Sequence, residues 1–179
     1  RISFLSFIGS SKVGWFLRSK LSPGTKCSLE HGGMAPIFLE SDTNINLAVK
    51  SVARGGYYHA GQVCVSIQRL FINKSIYKDF IEKLKTEVES LVVDNPLDMK
   101  TFLGPLIRPK EVDRVENWVN EAVSNGAKII SGGKRISKTC YQPTILTNTN
   151  KKDKISQNEV FGPVVCVHEY EEIENAIKN

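Results

Sequence analysis

An α/β fold, with a mostly parallel sheet flanked by helices, is predicted by three features of the sequence. Short apolar runs rich in β-branched and aromatic residues alternate with longer amphipathic segments, which is the pattern of strands connected by crossover helices. Glycine and proline stand at nearly every junction between them. The length, 179 residues with 41% hydrophobic content, suffices for one principal core with a smaller attached piece.

The elements follow in order. Residues 2–8 are apolar and read as a buried strand; Gly9-Ser10-Ser11-Lys12-Val13-Gly14 makes a tight turn, and a helix runs from Trp15 to Lys20. Pro23-Gly24 stops that helix, and residues 26–30 form a second short strand leading into Gly32-Gly33. Asp42 is placed to cap a helix carrying Ile45, Ala48, Val49 and Val52 on one face and ending near Gly55-Gly56. A strand over 67–72 precedes a helix capped at Ser75, whose Ile76, Phe80, Ile81, Leu84, Val88 and Leu91 share a stripe. Pro109 suits the first turn of a further helix bearing Val112, Val115, Trp118, Val119 and Ala122, closed by Gly126. Strands are expected over 127–130, near 141–146 and over 163–170, and an acidic helix starts at Glu171. There is no internal repeat, low-complexity tract or flexible linker.

Composition narrows the function. The formal charge of +5 is dispersed and never gathers into a basic run, so no nucleic-acid partner is implied. The apolar stretch at the N-terminus is too short to span a bilayer and lacks a small-x-small cleavage signal, so no membrane association is expected. Cys27, Cys64, Cys140 and Cys166 lie far apart, with no CxxC pair and no histidine at metal-ligand spacing; neither a metal site nor a disulfide framework is implied, and a reducing cytoplasm is the expected location. The chain starts with Arg inside a strand-like run and stops inside a helix-like one, the pattern expected of a partial chain.

Three places carry residues suited to chemistry. Cys64 lies between a helix end and a strand start, beside Gly61, where α/β folds commonly place functional groups; alone, it also reads as a buried structural thiol. Glu30 ends a short strand just before two glycines that permit close approach of a ligand, and alone it also reads as a solvated charge. The Gly9–Gly14 turn at a helix start is a ready anion site, but it lacks the GxGxxG pattern and reads equally as structural.

Four segments, Phe7-Ile8-Gly9-Ser10-Ser11-Lys12-Val13-Gly14, Leu29-Glu30-His31-Gly32-Gly33-Met34-Ala35-Pro36, Gly61-Gln62-Val63-Cys64 and Glu159-Val160-Phe161-Gly162-Pro163-Val164, resemble aldehyde dehydrogenase segments in order and spacing. Asn95-Pro96, Gly104-Pro105-Leu106 and Tyr141-Gln142-Pro143-Thr144-Ile145-Leu146 extend the likeness over essentially the whole chain. The resemblance implies an NAD(P)-dependent oxidation of an aldehyde to a carboxylic acid, with NAD favoured over NADP. It makes Cys64 the nucleophile that passes through a thiohemiacetal and a thioester, and Glu30 the base that activates the hydrolytic water. The Cys64 amide is a candidate oxyanion donor. Gly9, Ser10, Ser11 and Gly14 become cofactor-binding residues at the pyrophosphate, Glu159 the carboxylate for the nicotinamide ribose, and Phe161 the aromatic near the nicotinamide, although Phe161 also reads as core.

The sequence departs from the family at His31, where an aliphatic residue is usual, and at Met34, where Lys is common; repacking is the expected consequence. Val63 and Val65 suggest an apolar lining near the nucleophile without naming a substrate. The family's oxyanion-hole Asn, its contacts to the adenosine ribose, its downstream Gly-rich segment and its subunit-exchanging strand have no counterpart here. Residues 1–33 are therefore expected to be the C-terminal remnant of the dinucleotide-binding domain, and 34–179 a catalytic domain truncated at its C-terminal end. The resemblance implies a homodimeric or homotetrameric parent enzyme, with this portion binding NAD poorly alone. An inactive remnant of such an enzyme is the alternative reading, and hydrolysis of activated esters through Cys64 and Glu30, without redox chemistry, a third.

Overall fold

The structure, a computed structural model, describes residues 2–178. The chain divides into two compact units, residues 1–33 and 34–179. In the first, β1 (Phe4–Gly9) and β2 (Lys26–His31) pair in parallel, with Ile8 opposite Glu30 and Gly9 opposite His31, and α1 (Ser11–Ser19) is the crossover between them. Alternation assigns the faces: Cys27, Leu29 and His31 are partly covered, whereas Lys26, Ser28 and Glu30 are exposed. His31 packs its imidazole against Gly14 and edge-on to Trp15 at 5.3 Å. Any Cβ at position 14 would overlap that ring, so the glycine lets the helix approach the strand.

The second unit is built on a five-stranded sheet in the order β3-β4-β7-β6-β5, comprising β3 (Ala35–Leu39), β4 (Ile67–Asn73), β5 (Lys128–Ser131), β6 (Thr144–Thr147) and β7 (Val164–Tyr170). All neighbours are parallel except β5, which runs antiparallel to β6. The connecting helices are α2 (Ile45–Tyr57), α3 (Lys74–Glu89), α4 (Pro109–Ser124), α5 (Lys154–Gln157) and α6 (Ile173–Ile177). Their apolar stripes meet the sheet as the spacing predicts: Val49, Val52 and Ala53 of α2, Phe80, Leu84 and Val88 of α3, and Val112, Val115, Val119 and Ala122 of α4 join Leu70, Ile72, Ile145, Leu146 and Val164–Val167 in one core. Each Val, Leu, Ile or Phe side chain among them, taken fully from water, stabilises the fold by about 1.5–3 kcal/mol before entropy is set against it. A smaller cluster of Phe38, Phe71, Tyr170, Ile173 and Ala176 seats α6.

Several local expectations are corrected. β3, over 35–39, is not among the strands expected from the sequence; it tolerates Pro36, which has no amide to donate, because it is an edge strand with a register shift at Ala35/Pro36. The cap of α2 is Asn44, whose Oδ1 accepts from the Leu47 amide at 3.1 Å, and not Asp42. The cap of α3 is Asn73, accepting from the Ser75 amide at 3.0 Å, and not Ser75. Gly55 and Gly56 do not end α2; a Cβ on either would strike Ile67 or Val165, so they permit close packing of helix on sheet. The short helix α5, between β6 and β7, is held from below by buried Asp153, which accepts from Asn125 Nδ2 at 2.6 Å and the Asn150 amide at 2.9 Å.

The His168 imidazole stacks on Phe71 at 4.9 Å, and burial, with Arg69 as second cause, holds its pKa below the usual histidine value. A base with a lowered folded pKa leaves stability intact above the unfolded value of ~6.5, and stability falls as pH drops through that value toward the folded one. His168→Gln is therefore expected to flatten the loss of urea stability as pH falls below about 6.5. An unchanged slope would assign that loss to other groups.

Candidate functional site

The segment between α2 and β4 is strained and then pinned. After α2 ends at Tyr57, His59, Ala60 and Gly61 all adopt left-handed backbone conformations, with φ of 51°, 55° and 70°. Such conformations in non-glycine residues cost on the order of 1 kcal/mol or more each, and they persist only where the surroundings hold them. Here Gln62 supplies the hold. Its Nε2 donates to the His59 carbonyl at 3.0 Å and the Pro105 carbonyl at 3.3 Å, while its Oε1 accepts from the Ile107 amide at 2.9 Å.

Cys64 sits at the second position of a β-turn closed by the Ser66 amide donating to the Val63 carbonyl at 3.0 Å. The Cys64 amide is not spent on closing that turn. On the far side the Ser66 hydroxyl reaches the Gly56 carbonyl at 3.2 Å, tying the turn to the end of α2. Cys64 itself is exposed. By contrast, Cys166 is buried, and burial pushes its thiol up to about 12, which keeps it protonated and unreactive.

The loop Glu159-Val160-Phe161-Gly162 precedes β7 and meets the cysteine segment backbone to backbone. A Cβ on Gly61 would collide with the Gly162 carbonyl, and one on Gly162 would lie 2.7 Å from Val115 Cγ2 of α4. Two glycines thus let the two segments touch, with α4 behind them. Val160 is buried, Glu159 is half-buried, and Phe161 is 41% exposed in a left-handed conformation with φ of 45°. The exposure does not favour reading Phe161 as core.

In the first unit, Glu30 lies exposed near the carboxyl end of β2, alongside the end of β1 from which Gly9 and Ser10 lead into α1. Carboxyl ends of parallel strands are where open α/β sheets bind ligands. Ser10 is extended and its side chain makes no capping bond; its carbonyl takes the Val13 and Gly14 amides, leaving those of Ser11 and Lys12 without helical acceptors. Gly14 is buried against His31, so its place is in packing the helix.

Sequence reasoning passed over Gln62, Ser66 and Gln68, the polar residues that hold this site together. A glutamine inside the apolar run 67–72 was the available signal, because a buried amide must find partners.

Comparison with known proteins places these features in context. The profile of the aldehyde dehydrogenase family matches residues 1–179. A 3-sulfolactaldehyde dehydrogenase from Priestia aryabhattai is 44% identical over 98% of the chain, which spans 36% of that protein's length. Among solved structures, a betaine aldehyde dehydrogenase from Staphylococcus aureus in complex with NAD+ superposes with a TM-score of 0.91 at 33% identity, over 98% of this chain and 36% of its own. A glyceraldehyde-3-phosphate dehydrogenase from Methanocaldococcus jannaschii complexed with NADP gives a TM-score of 0.91 at 37% identity, over 96% of this chain and 37% of its own. The chain therefore spans a little over a third of the proteins it resembles. Among the described residues no helix is long and apolar enough to cross a membrane.

Proposed function

Because the chain belongs to the aldehyde dehydrogenase family, we propose that it is the nucleophile-bearing part of an NAD(P)-dependent enzyme that oxidises an aldehyde to a carboxylic acid. The observation that carries this reading is the backbone contact of Gly61 with Gly162, which sets an exposed cysteine turn beside a loop bearing a carboxylate and an exposed aromatic ring. We take residues 1–33 as the end of the cofactor-binding domain and 34–179 as most of the catalytic one.

Each unit, taken by itself, carries groups whose chemistry suits part of a dinucleotide. The uncommitted Ser10 hydroxyl and the Ser11 and Lys12 amides form a donor set suited to a pyrophosphate, following Gly9. Glu159 offers acceptors for a ribose diol, and Phe161 an apolar surface for a nicotinamide. When bound, NAD(P)+ supplies the hydride acceptor.

In the proposed reaction the Cys64 thiolate attacks the aldehyde carbon, forming a carbon–sulfur bond and an oxyanion for which the Cys64 amide is the proposed donor. Loss of hydride converts that thiohemiacetal into a thioester on Cys64. Glu30 takes a proton from water, the water oxygen bonds to the acyl carbon, and the carbon–sulfur bond breaks to release the acid and restore the thiolate. NAD is the favoured cofactor, a homodimer or homotetramer the proposed assembly, and the cytoplasm, which suits four free cysteines, the proposed location.

Glu30→Gln tests the assignment in the full-length enzyme, with 3-sulfolactaldehyde and a simple aliphatic aldehyde as substrates. Turnover should fall by about a hundredfold or more, while quenched protein carries an acyl adduct on Cys64 visible by mass spectrometry. Acid formation without any adduct on Cys64 would overturn the thioester route. The isolated chain, which spans 36% of the length of the 3-sulfolactaldehyde dehydrogenase it resembles, is expected to reduce little or no NAD.

A further inference from the structure

We propose that Gln68 is a positioning residue that fixes the Glu159–Phe161 loop relative to the Cys64 turn, and so sets how tightly the nicotinamide end of the cofactor is held. This rests on the reading of Glu159 as a cofactor ligand.

Gln68 lies in β4, four positions after Cys64, with its side chain 5% exposed. Its Nε2 donates to the Ile155 carbonyl at 3.0 Å and the Asn158 carbonyl at 2.8 Å, and its Oε1 accepts from the Val160 amide at 2.8 Å. Both amide hydrogens and the oxygen are therefore used, all on the backbone of one segment. The reverse orientation would set NH2 against N–H and oxygen against two carbonyls, so the network admits only one. No apolar side chain could replace it without leaving three backbone groups unsatisfied.

The consequence is mechanical. Asp153 holds the start of the 150–160 segment through Asn125 and Asn150, and Gln68 holds its end. Val160, the residue gripped by Gln68, lies between the two proposed cofactor contacts. The strand that supplies the grip also leads out of the cysteine turn, whose Ser66 is tied to α2. A single rigid element thus references both halves of the site to each other. Releasing Val160 would loosen the backbone that carries Glu159 and Phe161 while Cys64 kept its own anchors, Gln62 and Ser66.

The test uses the full-length enzyme with Gln68→Ala, Gln68→Glu and Glu159→Gln. Without cofactor, Gln68→Ala should speed amide hydrogen exchange across 158–161, a readout independent of activity. KM for NAD(P)+ should rise at least about tenfold, as in Glu159→Gln, while alkylation of Cys64 by iodoacetamide stays within about twofold of wild type. Gln68→Glu keeps the size and the acceptor for Val160 but sets a carboxylate against two carbonyls; its cofactor KM should improve as pH falls, because the protonated form can donate to one of them. This variant decides the matter if Gln68→Ala does not fold. Native exchange at 158–161, or an unchanged cofactor KM in the Gln68 variants while Glu159→Gln raises it, would overturn the proposal. An unchanged KM in Glu159→Gln would overturn the underlying ligand assignment, and with it the cofactor role of Gln68.

Discussion

Cys64→Ser is expected to lower aldehyde-dependent reduction of NAD(P)+ by the full-length enzyme by on the order of 10⁴-fold or more. A serine hydroxyl holds its proton at neutral pH far more firmly than a thiol, and an ester replaces the thioester that Glu30 is proposed to hydrolyse. The substitution is nearly isosteric at an exposed turn position, so stability should change little. That separation matters: a large loss with an unaltered unfolding midpoint assigns the effect to chemistry. Full activity in Cys64→Ser would remove the nucleophile assignment outright. Cys166 cannot serve as a substitute nucleophile, because burial holds it as the neutral thiol.

Gly61→Ala is expected to have the largest effect on stability, about 2–5 kcal/mol, and to disrupt the site with it. Two costs add. The residue has φ of 70°, where a Cβ is disfavoured, and the new methyl would be driven into the Gly162 carbonyl. Backbone on both sides leaves no flexible side chain to yield. Gly126→Ala is the matched control, since φ there is 105° and a Cβ would meet nothing within 4 Å. It should cost only the conformational part, roughly 1–2 kcal/mol. Urea unfolding of both variants reads the difference; equal losses would mean that the contact of the cysteine segment with the Glu159–Phe161 loop is not close-packed.

The main errors of expectation share one cause. Asp42 and Ser75 look as good as Asn44 and Asn73 as helix caps, because each is a residue of capping type within three positions of the helix start. Gly55-Gly56 looks like a terminator, and Pro36 like a strand breaker. In each case the local rule is sound and a tertiary neighbour decides the outcome. Ile67 and Val165 need the space of the glycines, and the open edge of the sheet excuses the proline.

What the order of amino acids determined without help is the alternation of apolar periods, hence the α/β class, the amphipathic helices and the run of family-like motifs in which Glu30, Cys64, Glu159 and Phe161 lie. These depend on residue type and spacing along the chain, which folding does not alter. Only the tertiary structure decided that the Cys64 turn touches the Glu159–Phe161 loop through two glycines, and that Gln62 and Gln68 are the clamps. The physical reason is distance along the chain. The Gln68 bonds to 155–160 and the Gly61–Gly162 contact join segments far apart in sequence, and a buried amide names its need for partners without naming which backbone will meet it.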